Sequence, residues 1–367
     1  MKWSWRIGEY AGIGVYIHAT FLLLLVWVAG TQFAMAQRFS AALAGVGYIV
    51  AIFACVLLHE FGHALAARRF GITTRDITLL PIGGVARLER MPDNPRQELF
   101  VAIAGPLVNV VIAAALAFWL LMTSALEPLA NLNILTGPFL ERLLVVNGIL
   151  ALFNMIPAFP MDGGRVLRAL LAMRMEYTRA TQTAANLGQG LAMVFGLIGL
   201  LYGHFMLLFI AFFVWIGAGQ ESGTVQIKHA LGGIPVSRAM LTEFQTVAPT
   251  DPLDTPVKLL LAGFQQDFPV LWGTELIGIL TRSDLLTGLA QQGAEARVQD
   301  FMRREFITAD PGEMLEGVFV RIQDCDCHTL PVLRGGTLVG LVTADNLGEF
   351  MMIQSALEQR RRSRPEV

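Results

Sequence analysis

Apolar runs long enough to cross a bilayer recur through the first 220 residues of the chain and then stop. A helical span needs about 20 predominantly apolar residues. The pattern predicts spans near residues 17–35, over a second run that ends at Arg68-Arg69, near 98–122, from about Leu140 to Asn154, and near 187–202 and 205–219. The last two meet at Gly203-His204, so His204 is read as marking a turn, and His18 as an interfacial side chain at the head of the first span. Residues 1–16 mix Lys2 and Arg6 with Trp3, Trp5 and Tyr16, a composition suited to the membrane interface. Residues 72–92 are too broken by proline and glycine for a span. Their β-branched residues and the Gly83-Gly84 turn signal predict a short hairpin or re-entrant loop. In residues 163–180, Arg165, Arg168, Arg174 and Arg179 alternate with Val166, Leu167, Leu170 and Leu171, which predicts an amphipathic helix lying in the interface.

Beyond about Glu221 the pattern changes to that of a soluble, repeated unit. One copy opens Val236-Ser-Arg-Ala-Met-Leu and closes Leu276-Ile-Gly-Ile-Leu-Thr-Arg-Ser-Asp284-Leu; the other opens Val298-Gln-Asp-Phe-Met-Arg and closes Leu338-Val-Gly-Leu-Val-Thr-Ala-Asp345-Asn-Leu. Phe268-Pro269-Val270 and Leu330-Pro331-Val332 each begin a strand before a hairpin, so both copies read helix, strand, strand, helix. The expected organisation is a membrane domain at 1–220, a linker at 221–235, paired units at about 236–296 and 297–352, and a frayed basic tail at 353–367.

Composition agrees: with 54% hydrophobic and 15% charged residues, the chain is an integral membrane protein with a smaller soluble part. The net charge of −2 gives no reason to expect a nucleic-acid partner. No basic block precedes an A-x-A-like site, so the first span is expected to be retained. Three cysteines make no disulfide framework; Cys55 reads as core packing, and Cys325-Asp326-Cys327-His328 is too weak a metal signal to outweigh a structural reading. With six spans, one membrane face collects nearly all the Lys and Arg, from Lys2 and Arg6 through Arg68, Arg69 and Arg165 to Lys228, while the other has Arg38 and Arg142 and a 123–139 loop with neither residue type. The positive-inside rule then places both termini and the repeat pair in the cytoplasm of a bacterial or archaeal cell membrane.

Chemistry is concentrated in Val56-Leu57-Leu58-His59-Glu60-Phe61-Gly62-His63, an H-E-x-x-H motif inside the second span. On a helix, histidines four apart share one face and can reach one zinc ion, with Glu60 beside them placed to take a proton from an activated water. Two packed histidines on a buried helix would be an adequate reading in a soluble protein. Within a span, ionisable residues are expensive and read as functional. Two further features lie at membrane depth. Asn109, after Gly105-Pro106, needs a polar partner, either another helix or the site itself. The run Asn154-Met155-Ile156-Pro157-Ala158-Phe159-Pro160-Met161-Asp162-Gly163-Gly164 cannot be regular helix, and such opened backbone is tolerated only where protein or a wet cavity receives it.

The zinc motif in the second span, followed by Asn-x-x-Pro…Asp-Gly at the end of the fourth, resembles the site-2 protease family of intramembrane zinc metalloproteases over about residues 10–220. The soluble repeat resembles a tandem pair of cystathionine-β-synthase-type (CBS) domains, a combination known in one branch of that family. The implied fold is an α-helical polytopic membrane domain of about six spans with a small β-hairpin, plus an α/β CBS pair. The implied roles are zinc ligation by His59, His63 and Asp162, base catalysis by Glu60, and substrate holding by Asn154. Chemistry asks for the same parts: a catalytic zinc site usually has three protein ligands, and Asp162 is the carboxylate at the opened segment. A helix cap remains the alternative for Asp162, and support of the freed backbone around Pro157 for Asn154. Met161 stands where leucine is common in the family.

An intramembrane protease must draw its helical substrate out into an extended chain, and the Gly83-Gly84-Val85 loop offers a strand edge to receive it. The expected partner is a single-span membrane protein, with lipid around both. For the CBS pair the resemblance implies ATP or another adenine nucleotide, with Thr281 near phosphates and Asp284 on ribose hydroxyls. In the second copy Thr343 and Asp345 are the corresponding candidates, but Asn346 takes the ribose position and the acid shifts by one. A structural or homodimerising role for the pair is the alternative. A metal-binding sensor or transporter gated by the pair is the competing function, and it gives no reason for Glu60 between the histidines.

Overall fold

The computed structural model describes residues 3–89, 91–92, 94–123, 137–263, 265–324 and 329–362. Two compact units, Met1–Gly223 and Thr224–Val367, make up the chain.

The first unit begins with a hairpin where only an interfacial stretch was expected: β1 (Ser4–Tyr10) turns at Ala11-Gly12 into β2 (Ile13–His18). β2 feeds directly into α1 (Ala19–Ala36), and the His18 ring caps that helix by accepting from the Thr20 N–H, so it does not hang free at the interface. The long α2 (Phe39–Arg68) carries the H-E-x-x-H motif in its last turns. The expected hairpin follows as β3 (Thr74–Leu80) and β4 (Gly83–Leu88). Together the four strands form one sheet in the order β1-β2-β3-β4, with β2 and β3 parallel. A parallel pair needs a crossover, and here α1 and α2 supply it.

α3 (Pro95–Met122) starts at Asn94, whose side chain accepts from the Arg96 N–H at 2.9 Å, with proline in the first helical turn where no N–H is needed. Residues 124–136 of the expected arginine-free loop lie outside the described residues. Then come α4 (Phe139–Asn154), an irregular Met155–Met161 segment, α5 (Asp162–Ala172), α6 (Tyr177–Tyr202) and α7 (Phe205–Leu231). The irregular segment folds back over the start of α5 so closely that a Cβ on Gly163 would stand 2.2 Å from the Ile156 carbonyl oxygen. That explains the glycine after Asp162.

Among the described residues five helices, α1, α2, α3, α6 and α7, are long and apolar enough to cross a membrane. The fourth expected span is the 16-residue α4, about 24 Å long against a hydrocarbon core of about 30 Å. The interfacial helix expected over 163–180 is corrected in two ways. It divides into α5 and the first turn of α6, and Arg168 is 1% exposed. Its guanidinium pairs with Glu98 of α3 at 2.6 Å and Glu221 of α7 at 2.5 Å, and stacks over Phe159 and Tyr177. A buried guanidinium of this kind needs such partners.

In the second unit each repeat opens with a 3-10 turn, Val236–Arg238 or Val298–Asp300. The first continues as α8 (Asp254–Ala262), β5 (Phe268–Trp272), β6 (Glu275–Leu280) and α9 (Arg282–Gln292). The second continues as α10 (Leu315–Asp324), β7 (Thr329–Arg334), β8 (Thr337–Thr343) and α11 (Ala344–Arg362). The strands form one sheet in the order β5-β6-β8-β7. The repeats exchange their leading segments: Val236 packs with Leu330 and Val332 of the second hairpin, and Val298 with Phe268 and Val270 of the first. Neither core is complete without the other repeat. The stretch expected as a linker is helical as far as Leu231, and α11 continues to Arg362 through the start of the expected frayed tail. Cys325 to His328 and residues 363–367 lie outside the described residues.

Candidate active site

Helical spacing puts His59 and His63 on one face of α2, and Asp162, the first residue of α5, meets them there. The His59 and His63 Nε2 atoms are 3.1 Å apart, and Asp162 Oδ2 is 3.2 Å from one and 3.1 Å from the other. All three side chains are buried.

The protons on this triangle can be assigned from its surroundings. His63 Nδ1 faces the Val101 carbonyl at 2.8 Å and therefore donates to it. His59 Nδ1 lies 2.5 Å from Asn109 Oδ1; Asn109 Nδ2 donates to Asn147 Oδ1 at 2.9 Å, and Asn147 Nδ2 donates to the Leu143 carbonyl at 2.8 Å. Because that last carbonyl can only accept, the chain fixes both amide orientations and makes His59 Nδ1 a donor as well. With both rings neutral, as metal ligands must be, each turns an Nε2 lone pair toward the carboxylate, and three acceptors converge. A cation satisfies that arrangement. Ligands about 2.1 Å from one tetrahedral zinc stand about 3.4 Å apart, close to the edges observed. The donor set fits zinc.

Three residues of α3, spaced by four, build this environment: Val101, Gly105 and Asn109. A Cβ on Gly105 would lie 2.1 Å from His63 Nε2, so only glycine leaves room for the ring. Glu60 projects toward the sheet, where a Cβ on Gly84 would fall 2.7 Å from its Cγ and 3.2 Å from its Oε1. Gly83 opens β4 with φ +141°, and Val85 is exposed beyond Gly84. Among the described residues β4 pairs only with β3 and forms an edge of the sheet.

The structure thus brings His59, Glu60, His63, Asp162 and Gly84 together. Asn154 ends α4, half-buried, and among the described residues no hydrogen bond joins its side chain to the triangle. The partner of Asn109, open between a helix and the site, turns out to be both. Asn147 was missed, although a second asparagine inside an apolar run was a signal available in the sequence.

The four CBS candidates occupy equivalent helix starts. Thr281 caps α9 by accepting from the Asp284 N–H, and Asp284 receives hydrogen bonds from Arg303 and from the Thr281 hydroxyl. Burial pushes the Asp284 carboxyl up, but those bonds outweigh it and hold it below the ordinary carboxylate value. In the second copy Thr343 accepts from the Asn346 N–H, while Asp345 receives a long contact, 3.5 Å, from Gln266 of the first copy.

Comparison with known proteins agrees with these features. Residues 47–136 and 127–197 match the model of peptidase family M50, and residues 236–291 and 298–352 each match the CBS domain model. The chain is 31% identical to the zinc metalloprotease MJ0392 of Methanocaldococcus jannaschii, over 98% of this chain and 99% of that protein. It is also 31% identical to the stage IV sporulation protein FB of Bacillus subtilis, over 34% of this chain and 40% of that protein. A solved structure of a site-2 protease from Methanocaldococcus jannaschii matches with 39% identity and a TM-score of 0.45, over 60% of this chain and 95% of that one. Near-complete coverage by a relative at this identity settles membership: the chain belongs to peptidase family M50, the site-2 protease family of zinc metalloproteases, as an integral membrane member with a tandem CBS pair.

Proposed function

We propose that the protein is an intramembrane endopeptidase that hydrolyses a peptide bond in or near the transmembrane segment of a single-span membrane protein. One observation carries this reading: a buried histidine-histidine-aspartate triangle and an adjoining glutamate, set among helices apolar enough for the bilayer, lie against the edge strand of a sheet. His59, His63 and Asp162 would hold zinc through Nε2, Nε2 and Oδ2. Zinc, when bound, supplies a Lewis acid for the scissile carbonyl and lowers the pKa of an attacking water toward about 7. The Glu60 carboxylate takes the water's proton and returns it to the leaving amide nitrogen. Asn109 and the Val101 carbonyl keep the Nδ1 protons in place, so both Nε2 lone pairs stay available.

A helical substrate hides its peptide bonds in its own i→i−4 hydrogen bonds and must enter extended. The outer edge of β4 at Gly83, Gly84 and Val85, where Gly84 stands against Glu60, receives it by β-addition. Asn154, at the end of α4, helps to hold the substrate chain. A proline walk from Val85 to Leu88 that left cleavage intact would rule out pairing along β4. We also assign both termini and the CBS pair to the cytoplasm, on the distribution of arginines, and modulation by an adenine nucleotide to Thr281 and Asp284, with Thr343 and Asp345 as the second, weaker position. Radiolabelled ATP that failed to bind the full chain would remove that assignment.

The deciding experiment compares membrane proteomes of cells carrying wild-type and Glu60→Gln protein. The Glu60→Gln protein keeps its zinc, and one single-span protein accumulates uncut. If zinc is retained and no membrane protein accumulates under any stress tried, the protein does not act in this way.

A further inference from the structure

Two charged side chains of α5 already have partners on α2 and α3. Asp162 faces the two histidines of α2, and Arg168 lies 2.6 Å from Glu98 of α3. At 3.6 residues per turn Arg165 falls between them, about 60° around the helix from each. It sits one turn beyond Asp162, and helical side chains lean toward the N-terminus, so its guanidinium is carried back toward that carboxylate. The electrostatics agree, because the Arg165 charge acts on Asp162, on Glu60 and on Glu98.

What Arg165 lacks is a partner. Among the described residues its Nε is buried with no hydrogen-bond acceptor, and no ion pair joins it to any of those three carboxylates. Asp162 Oδ2 is held in the triangle, and Glu98 Oε1 accepts from Arg168. Arginine keeps its charge, and a buried donor with no acceptor is costly. An acceptor that arrives with the substrate removes that cost.

The reaction supplies one. A substrate extended along β4 brings its scissile carbonyl beside Glu60 and the triangle. When water adds to the carbonyl carbon, a new C–O bond forms, the carbonyl π pair moves onto its oxygen, and the water's proton goes to Glu60. Negative charge then develops on the carbonyl oxygen, close to the unpaired guanidinium. Fixed donors aimed at developing charge in a site that excludes water stabilise the transition state strongly.

We propose that Arg165 is a catalytic residue that donates to the scissile carbonyl oxygen and stabilises the oxyanion formed there. The proposal rests on the peptidase reaction described above; the anion site it requires can be tested without a substrate.

The test uses the full chain in phospholipid nanodiscs, with cobalt in place of zinc so that ligand binding is read from the visible absorption. Azide serves as an anionic probe and imidazole as a neutral one. Arg165→Gln should bind azide about tenfold more weakly, equal to about 1.4 kcal/mol, and bind imidazole as wild type does. Arg165→Lys, which keeps the charge and loses the planar fork, should fall between. Cobalt affinity, measured by competition with a chelator, should hold or rise, because a positive charge beside the ligands is removed. Cobalt lost from Arg165→Gln as it is from Asp162→Asn would overturn the proposal, since Arg165 would then only position a ligand. Unchanged azide binding, or equal weakening of azide and imidazole, would overturn it too. On the single-span protein that accumulates with Glu60→Gln, Arg165→Gln should lower kcat about a hundredfold and leave KM within about threefold; a change confined to KM would refute the oxyanion role. An azide contrast in a wild-type protein that cleaves nothing would overturn the peptidase reading and this role with it, whereas no contrast in a protein that cleaves would overturn the role of Arg165 alone.

Discussion

Replacing Asn109 with leucine should weaken zinc binding without touching a ligand. Asn109 and Asn147 are completely buried, so no water replaces the lost acceptor. Asn109→Leu leaves the His59 Nδ1–H, now 2.5 Å from Oδ1, without a partner, and leaves Asn147 Oδ1 without its donor. A buried donor stripped of its acceptor costs about 1–3 kcal/mol. The imidazole can recover part of this by moving its proton to Nε2, where Asp162 Oδ2 accepts it at 3.2 Å. That tautomer has no lone pair for the metal, so most of the cost appears in zinc affinity. A loss of about 10–100-fold is expected, equal to about 1.4–2.7 kcal/mol. The assay is competition with a chelator of known affinity, on protein in nanodiscs, beside Asn147→Leu, which keeps the first hydrogen bond and loses less. Cleavage by Asn109→Leu should return when zinc is raised to saturation. A folded Asn109→Leu protein binding zinc within a factor of two of wild type would refute the tautomer argument.

Three other outcomes follow from the same geometry. Gly105→Ala, with its methyl aimed 2.1 Å from His63 Nε2, should lose zinc outright, whereas Gly84→Ala, pressing on Glu60, should keep zinc and lose about a hundredfold in turnover from a displacement of about 1 Å; metal analysis and single-turnover cleavage separate the two. Arg168→Met strands the buried Glu98 carboxylate and should cost about 3–5 kcal/mol in unfolding experiments, with part of it recovered by adding Glu98→Gln. Asp284 is held below its ordinary value, so its contribution is fully present above the unfolded carboxylate pKa of about 4 and fades as pH falls through the lower folded value. Hydrogen exchange in β6 and α9 should therefore distinguish Arg303→Gln from wild type at neutral pH and cease to do so in acid.

The features readable from sequence were those fixed by local spacing. His59 and His63 needed only the helical repeat, the β3–β4 hairpin only its glycine pair, and the CBS copies only their mutual likeness. What was missed depends on partners distant in sequence. Arg168 among leucines has the pattern of an interfacial helix, and nothing nearby discloses that Glu98, 70 residues away, closes on it. The start of α6 was expected to close that interfacial helix, with a span only from about residue 187, yet Ala180, Thr181, Ala184 and Ala185 are buried against protein in one helix that begins at Tyr177. The β1–β2 hairpin was hidden because Trp3, Trp5 and Tyr16 suit an interface in any conformation.

The most informative element supplies no ligand at all. α3 touches both ligand-bearing segments along one stripe: Glu98 pairs with Arg168 of α5, Val101 and Asn109 fix the two imidazoles of α2, and Gly105 lets His63 approach. These positions recur at three or four residues, the period at which a helix presents one face. Two histidines on one helix can hold their mutual geometry unaided. Asp162 cannot, because it begins a short helix after irregular backbone and lies 99 residues along the chain from His63. A rigid third body that grips α2 and α5 at once solves that problem, and α3 does so with an ion pair at one end and a hydrogen-bonded asparagine at the other. Lesions at Glu98 and at Asn109 should therefore both reduce zinc affinity, the first by letting Asp162 drift and the second by letting His59 turn. Combined, they should lose less than the sum of their separate effects, because a triangle already missing one corner gains little from the orientation of the others.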